Sequence, residues 1–250
     1  MPLPTGAPIL TPFPTFSDEE EINAFKKLYE TNGGCHLPCW WGITPGVTTL
    51  KDTQRFIQRF PTFTSFEERL KGPNSLPGFS DNADIYTWAT YAPDTDSAVP
   101  IDFQVTNGVI TKILVAYNIV RYTFPTSSVF QEYGLPDKIY VGPNLHQQND
   151  SHDLAIIVYI LYENTHIMIM DNLYGTRDSD RIKLCESTPI SIEELLLWAP
   201  DETPNIDFNK PDIKPLEQIS SMTQEDFYNK YKDKKSYKNI CIDVTNDAWK

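Results

Sequence analysis

The chain has 250 residues, 40% hydrophobic and 12% aromatic, with a formal net charge of −13 and a pI near 4.7. That is enough apolar material for one large domain or for two modules of about 100 residues each. The acidic balance argues against nucleic acid, which requires a basic face, and against an electrostatic hold on anionic membranes, and no apolar run reaches the roughly 18 residues of a transmembrane helix.

Residues 2 to 14 carry five prolines among Thr, Gly and Ala. They read as an extended stalk over residues 1–16, or as an ordinary disordered terminus. Met1-Pro2-Leu3-Pro4 lacks the basic and apolar regions of a signal peptide. A lipid anchor carried upstream of the stalk is an open expectation.

Ser17-Asp18-Glu19-Glu20 is a capping box that predicts a helix start. Ile22, Phe25, Leu28 and Tyr29 form its expected apolar face, and Asn32-Gly33-Gly34 stops it because these residues accept left-handed backbone. Next comes the densest stretch, Gly33 to Gly46, with two cysteines, two adjacent tryptophans, two prolines and four glycines. It reads as a structural knot. A second helix is expected over 49–60, with Thr49 as N-cap, Asp52 three residues on, and Leu50, Phe56, Ile57 and Phe60 buried. Pro61 ends it, and a loop-rich passage runs to about Asn82.

The hydrophobic period then changes from about 3.6 to 2. Asp84 to Tyr91 has strand composition and Ile101 to Val105 alternates. Thr106-Asn107-Gly108 turns the chain into Val109 to Tyr117, an Asn-Gly hairpin signal. Ser127 to Tyr133 reads as a short helix or turn, broken by Gly134-Leu135-Pro136 before a strand at Ile139 to Val141. Leu154 to Tyr162 is a near-continuous apolar run, read as a strand covered on both faces, and Glu163-Asn164-Thr165 returns it through His166 to Met170. Ile190 to Trp198 is ambiguous between strand and helix. Residues 200 to 216 hold four prolines and read as a surface excursion. Thr223 caps a last helix with Phe227, Tyr228 and Tyr231 inward.

The expected architecture is α+β: antiparallel sheet with helices packed on one face, in two similar helix-plus-hairpin modules. The first spans 17–122, and the second spans 123–250 with an irregular C-terminal extension.

Four cysteines allow three pairings. Cys35 and Cys39 have three residues between them, one more than a redox motif uses. A structural disulfide is the main reading. A metal bound by Cys35, His36 and Cys39 would need a fourth ligand from elsewhere, and Cys35 as nucleophile would need a base that no feature supplies. The expected bonds are Cys35 to Cys39 and Cys185 to Cys241, and the even count together with the stalk points to an oxidising compartment. His146, Asp150, His152 and Asp153 make a polar loop, while Asp94 with Asp96 and Asp178 with Asp180 read as turns. No Gly-rich phosphate loop, nucleophile elbow or His-Glu-x-x-His is present. No catalytic residue, metal or cofactor is therefore expected. Trp40 and Trp41 read chiefly as packing residues, with interface anchors as the alternative; in an extended segment they would point to opposite faces, with one ring partly exposed. Tyr86, Trp88, Tyr91 and Tyr117 mark a candidate binding face, although the same alternation could turn them inward.

Ile43-Thr44-Pro45-Gly46-Val47-Thr48 followed by a helix resembles the start of a BamE/SmpA-type module, and Gly134-Leu135-Pro136-Asp137-Lys138-Ile139 is similar to the break before the first strand of such modules. This resemblance, over roughly 43 to 170, implies α+β modules like those of the β-lactamase-inhibitor-protein fold, which bind other proteins and carry no catalytic residues. Asn32-Gly33-Gly34-Cys35-x-Leu37-Pro38-Cys39-Trp40-Trp41-Gly42-Ile43 resembles a motif of bacterial proteins of unassigned function, many with lipoprotein-like leaders. Their C-terminal cysteine followed by tryptophan is similar to Cys241 and Trp249. That implies an extracytoplasmic setting, secreted or cell-surface anchored, although this chain lacks the leader and lipidatable cysteine. The expected function is non-catalytic binding or scaffolding through contacts with a protein partner. The rival classes are a hydrolase using surface carboxylates and a small-ligand carrier with an aromatic pocket.

Overall fold

The structure is a computed structural model that describes residues 16–60, 64–69, 76, 78–80, 83–91, 98–116, 126–143, 153–178, 181–185, 194–233 and 241–245. The stalk through residue 15, Tyr117 and the loop holding His146, Asp150 and His152 lie outside the described residues, as do Asp94, Asp96 and Asp180.

Eleven strands among the described residues form one antiparallel sheet. They are β1 (Thr64–Arg69), β2 (Asp84–Tyr91), β3 (Ala98–Thr106), β4 (Val109–Ala116), β5 (Lys138–Pro143), β6 (Asp153–Tyr162), β7 (Ile167–Asp178), β8 (Arg181–Cys185), β9 (Glu194–Trp198), β10 (Lys214–Pro215) and β11 (Cys241–Thr245). Their order is β1-β2-β3-β4-β9-β7-β6-β5-β10. One edge of β7 is shared end to end: Ile167 to Met170 pair with β9, and Tyr174 to Asp178 pair with β8, which in turn pairs with β11. The sheet crosses the expected division at residue 122, because β9 joins β4 on one side to β7 on the other.

The helices are α1 (Asp18–Thr31), α2 (Leu50–Ile57), α3 (Thr126–Tyr133), α4 (Leu216–Ile219) and α5 (Gln224–Tyr231). All five bury residues in one core with the same face of the sheet, as expected. Phe25, Ile57, Phe130, Leu216 and Phe227 meet Trp88, Phe103, Val115, Ile160 and Leu195 there. The capping box of α1 is formed by Ser17 and Glu20, and Thr49 accepts the Asp52 N–H at 3.1 Å to start α2. The buried line of α1 runs Glu21, Phe25, Leu28 and Asn32, while Ile22 is 52% exposed. Phe25 and Leu28 are buried as expected and the side chain of Tyr29 lies outside the described residues, but the face is rotated at its start: positions spaced four and three apart stack on one side, and Ile22 falls outside that line.

Asn107 and Gly108 have φ of 52° and 79°, the positive pair of a tight hairpin turn between β3 and β4. A register shift between Gln104 and Val105 inserts an extra residue on β4. It lets Ile110 and Ile113 both join the helix-side core, while Leu114 joins the opposite one.

That opposite face has its own core: Phe79, Leu114, Tyr159, Leu161, Met168, Met170, Leu196 and Trp198. From Ile156 to Tyr162, where its side chains are described, the expected strand is covered on both faces, with Val158 and Ile160 on the helix side and Tyr159 and Leu161 on the other. The proline-rich passage after Trp198 is more than a surface excursion. Ile206, Phe208 and Ile213 pack on this second core, and Phe208 stacks on Tyr140 at 4.5 Å between ring centroids. Its few apolar residues suffice because the sheet presents the rest of the apolar surface.

Candidate functional site

The knot is organised by Asn32, which ends α1 with φ 52° and is 1% exposed. Its Nδ2 donates to the carbonyls of Cys35 and Cys39 at 2.8 Å each, and its Oδ1 accepts the Trp41 N–H at 2.9 Å. A disulfide joins Cys35 to Cys39, and the Leu37–Pro38 peptide is cis. Trp40 and Ile43 exchange two backbone hydrogen bonds of 2.8 Å across Trp41 and Gly42, whose φ values are 53° and 85°. This is a tight turn and not an extended segment, so the alternation expected for the two tryptophans does not apply. Both indoles are buried and stack at 5.4 Å with 24° between planes. The knot is tied to α3 as well. Tyr133 Oη lies 3.3 Å from the Leu37 carbonyl and 3.0 Å from Glu132 Oε1, two acceptors for its single proton, and burial with the nearby carboxylate pushes its phenol well up. His36 Nδ1 lies 2.6 Å from Glu132 Oε1, so its ring faces α3.

Of the expected aromatic binding face, the two members whose side chains are described, Tyr86 and Trp88, lie on the helix-covered face. Trp88 is 0% exposed, edge-on to Trp41 at 5.3 Å and to Phe56 at 5.9 Å. Tyr86 is half-buried and stacks on Phe66 at 5.8 Å. Tyr91 ends β2 with its side chain outside the described residues, and Tyr117 is not described. Trp40, Trp41 and Trp88 therefore work as core, because α1, α2 and the knot close over this end of the sheet. Among the described residues no group of three or more His, Cys, Asp or Glu is arranged to hold a metal.

An open concavity lies on the other face. A cleft of about 370 Å³ forms where the turn after β6 meets the segment after β9, lined by Leu161, Trp198 and Phe208 with Pro200 and Pro204 beside them. His166, Glu163, Glu202 and Thr203 complete its rim. His166 takes φ 60° in the turn between β6 and β7, which sets its ring edge-on to Trp198 at 6.0 Å. Each rim carboxylate already has a cation. Glu163 meets Lys138 at 2.8 Å, and that bond holds the lysine above its ordinary range. Glu202 meets Lys112 at 3.5 Å.

Lys112 is the unusual member. It sits on β4 directly opposite Trp198 of β9 and is 1% exposed. Its Nζ donates to the Gly78 carbonyl at 3.0 Å. Burial pulls its pKa below the ordinary lysine range and Glu202 pulls it back up. One ammonium thus pins two segments that cover the second face, around Gly78 and around Glu202. Asn205 ties the same two segments together directly: its N–H donates to the Gly78 carbonyl at 3.0 Å and its Nδ2 donates to the Phe79 carbonyl at 2.8 Å.

The sequence carried one signal for this site, a single lysine inside the apolar run Val109 to Val115. It carried none for the cleft, whose walls come from turns about 35 residues apart in the chain. With both carboxylates ion-paired and the imidazole against an indole, the arrangement favours stacking and apolar contact. No helix among the described residues is long and apolar enough to cross a membrane. Compared with protein-family profiles, with curated proteins and with solved structures, the chain matches none.

Proposed function

We propose that the chain is a non-catalytic binding protein of an oxidising, extracytoplasmic compartment, acting on a protein partner through the cleft on the second face of the sheet. The observation that carries the reading is the aromatic floor of that cleft, Trp198 and Phe208, flanked by prolines and bordered by paired carboxylates. Rigid aromatic floors supply much contact area for one anchoring side chain. The net charge of −13 favours a segment with an apolar anchor beside basic residues. The Cys35–Cys39 disulfide supports the compartment, as does the likeness of the knot to lipoprotein-like proteins.

A display library of peptides is the test. Wild-type protein is expected to enrich sequences with an aromatic or aliphatic residue next to Lys or Arg. Thr203→Arg, at an exposed position on the rim, should weaken those peptides by at least about tenfold, roughly 1.4 kcal/mol, with the melting temperature unchanged. Equal affinity for the blocked variant would refute the site. Turnover in a broad hydrolase screen, abolished by changing a single carboxylate, would refute the non-catalytic reading. The cleft also favours a second reading, a small-ligand carrier, because its volume lies in the lower part of the usual range of about 300–1,000 Å³ for such sites. Enrichment of no peptide together with saturable, Thr203-sensitive binding of a small aromatic compound would select that reading.

A further inference from the structure

Cys185 ends β8 and Cys241 begins β11, and the antiparallel register sets them directly opposite each other. Opposed residues of an antiparallel pair have Cα atoms about 4.5–5.5 Å apart, inside the roughly 4.4–6.8 Å that a disulfide spans. Cys35 and Cys39 are already joined to each other. We propose that Cys185 and Cys241 form a second disulfide, a cross-strand bond that fastens β11 to β8.

The oxidant is an external disulfide of the glutathione class. The thiolate of one cysteine attacks a sulfur of the oxidant and expels one of its thiols. The second cysteine then attacks the mixed disulfide and expels the other. Two protein thiols thus become one S–S bond, and the oxidant disulfide is reduced to two thiols.

The position gives the bond a task. β11 has β8 as its strand partner in the sheet, and β8 is attached to the far half of β7, away from the main strand order. Yet Ile242 and Val244 of β11 are buried in the helix-side core, and Val244 bridges to Ser220 at the end of α4. The segment between the two cysteines contains β9, which joins the two halves of the sheet, and Pro200, Glu202 and Phe208 of the cleft. A covalent tie at its ends keeps this long excursion closed.

The test uses the full chain, folded in a buffer of oxidised and reduced glutathione, alkylated, digested and mapped without reduction. The expected result is a peptide joining Cys185 to Cys241 beside one joining Cys35 to Cys39. Alkylation of both Cys185 and Cys241 in the folded, oxidised protein would overturn the proposal, and so would a link from either to Cys35 or Cys39. The bond closes a loop of about 57 residues, 185 through 241. In the chain-entropy relation its loss in a Cys185→Ser, Cys241→Ser double variant is read as a fall in melting temperature of roughly 10 °C. The mapping is made on the wild-type chain, so the outcome stands even where that variant fails to fold.

Discussion

Replacing Asn32 with glycine removes the side chain that holds the knot while keeping the left-handed backbone it needs. Three hydrogen bonds go, two of 2.8 Å to the Cys35 and Cys39 carbonyls and one of 2.9 Å from the Trp41 N–H. The site is 1% exposed, so the stranded groups gain little from water. At about 1 kcal/mol for each buried polar group left without its partner, the loss is about 3 kcal/mol. Alanine removes the same bonds and adds the penalty for a Cβ at φ 52°, about 1 kcal/mol more. Asn32→Asp keeps the acceptor for the Trp41 N–H but turns a carboxylate towards two carbonyl oxygens. Its carboxyl should therefore titrate above the ordinary aspartate range. The folded state then holds its proton longer than the unfolded state, and stability falls as pH rises towards neutrality. Urea unfolding followed by tryptophan fluorescence reads all three variants, and Trp40, Trp41 and Trp88 lie in or against the knot. The reasoning fails if the glycine variant stays within about 0.5 kcal/mol of wild type, or if glycine and alanine cost the same.

Glu202→Gln should cost about 1–3 kcal/mol at pH 7, because it leaves the Lys112 ammonium buried without its counter-charge. The folded-state pKa of Lys112 is already depressed, so the unfolded chain holds that proton to higher pH and the contribution to stability rises with pH up to about 10.4. The variant deepens the depression and starts that rise at lower pH. Paired thermal melts between pH 7 and 10 check this, and parallel curves would refute the ion pair. Trp88→Ala should cost about 3–5 kcal/mol by opening a cavity beneath Trp41 and Phe56. Ile22→Lys, at an exposed position of α1, should stay within about 0.5 kcal/mol; a large loss in urea unfolding would contradict the rotated face of that helix.

Local chemistry wrote much of this fold into the chain. The capping residues Ser17, Thr49 and Thr223 start the helices they were expected to start. Asn107-Gly108 makes its hairpin, and the Leu154 to Tyr162 run is a strand, buried on both sides from Ile156 onward. These signals act over a few residues: a side-chain oxygen reaching a nearby N–H, or a backbone that tolerates positive φ. The Cys35–Cys39 bond of the knot was legible for the same reason.

What the chain alone left open depends on partners distant in sequence. β1 holds one large apolar residue, Phe66, among Thr, Ser, Glu and Arg, and becomes a strand only because it has the free edge of β2 to pair with. β8 and β11 are short and define each other. β7 runs on from Met170 to Asp178 because β8 continues its edge. Both tryptophans of the knot are buried because a turn, not a strand, carries them, and that turn is held by Asn32 nine residues from Trp41. The second core and its cleft could not be read locally at all. A strand's alternation shows that it has two faces, but which one is covered, and by what, is decided when Lys112 meets Glu202 and the backbone around Gly78 across the folded sheet.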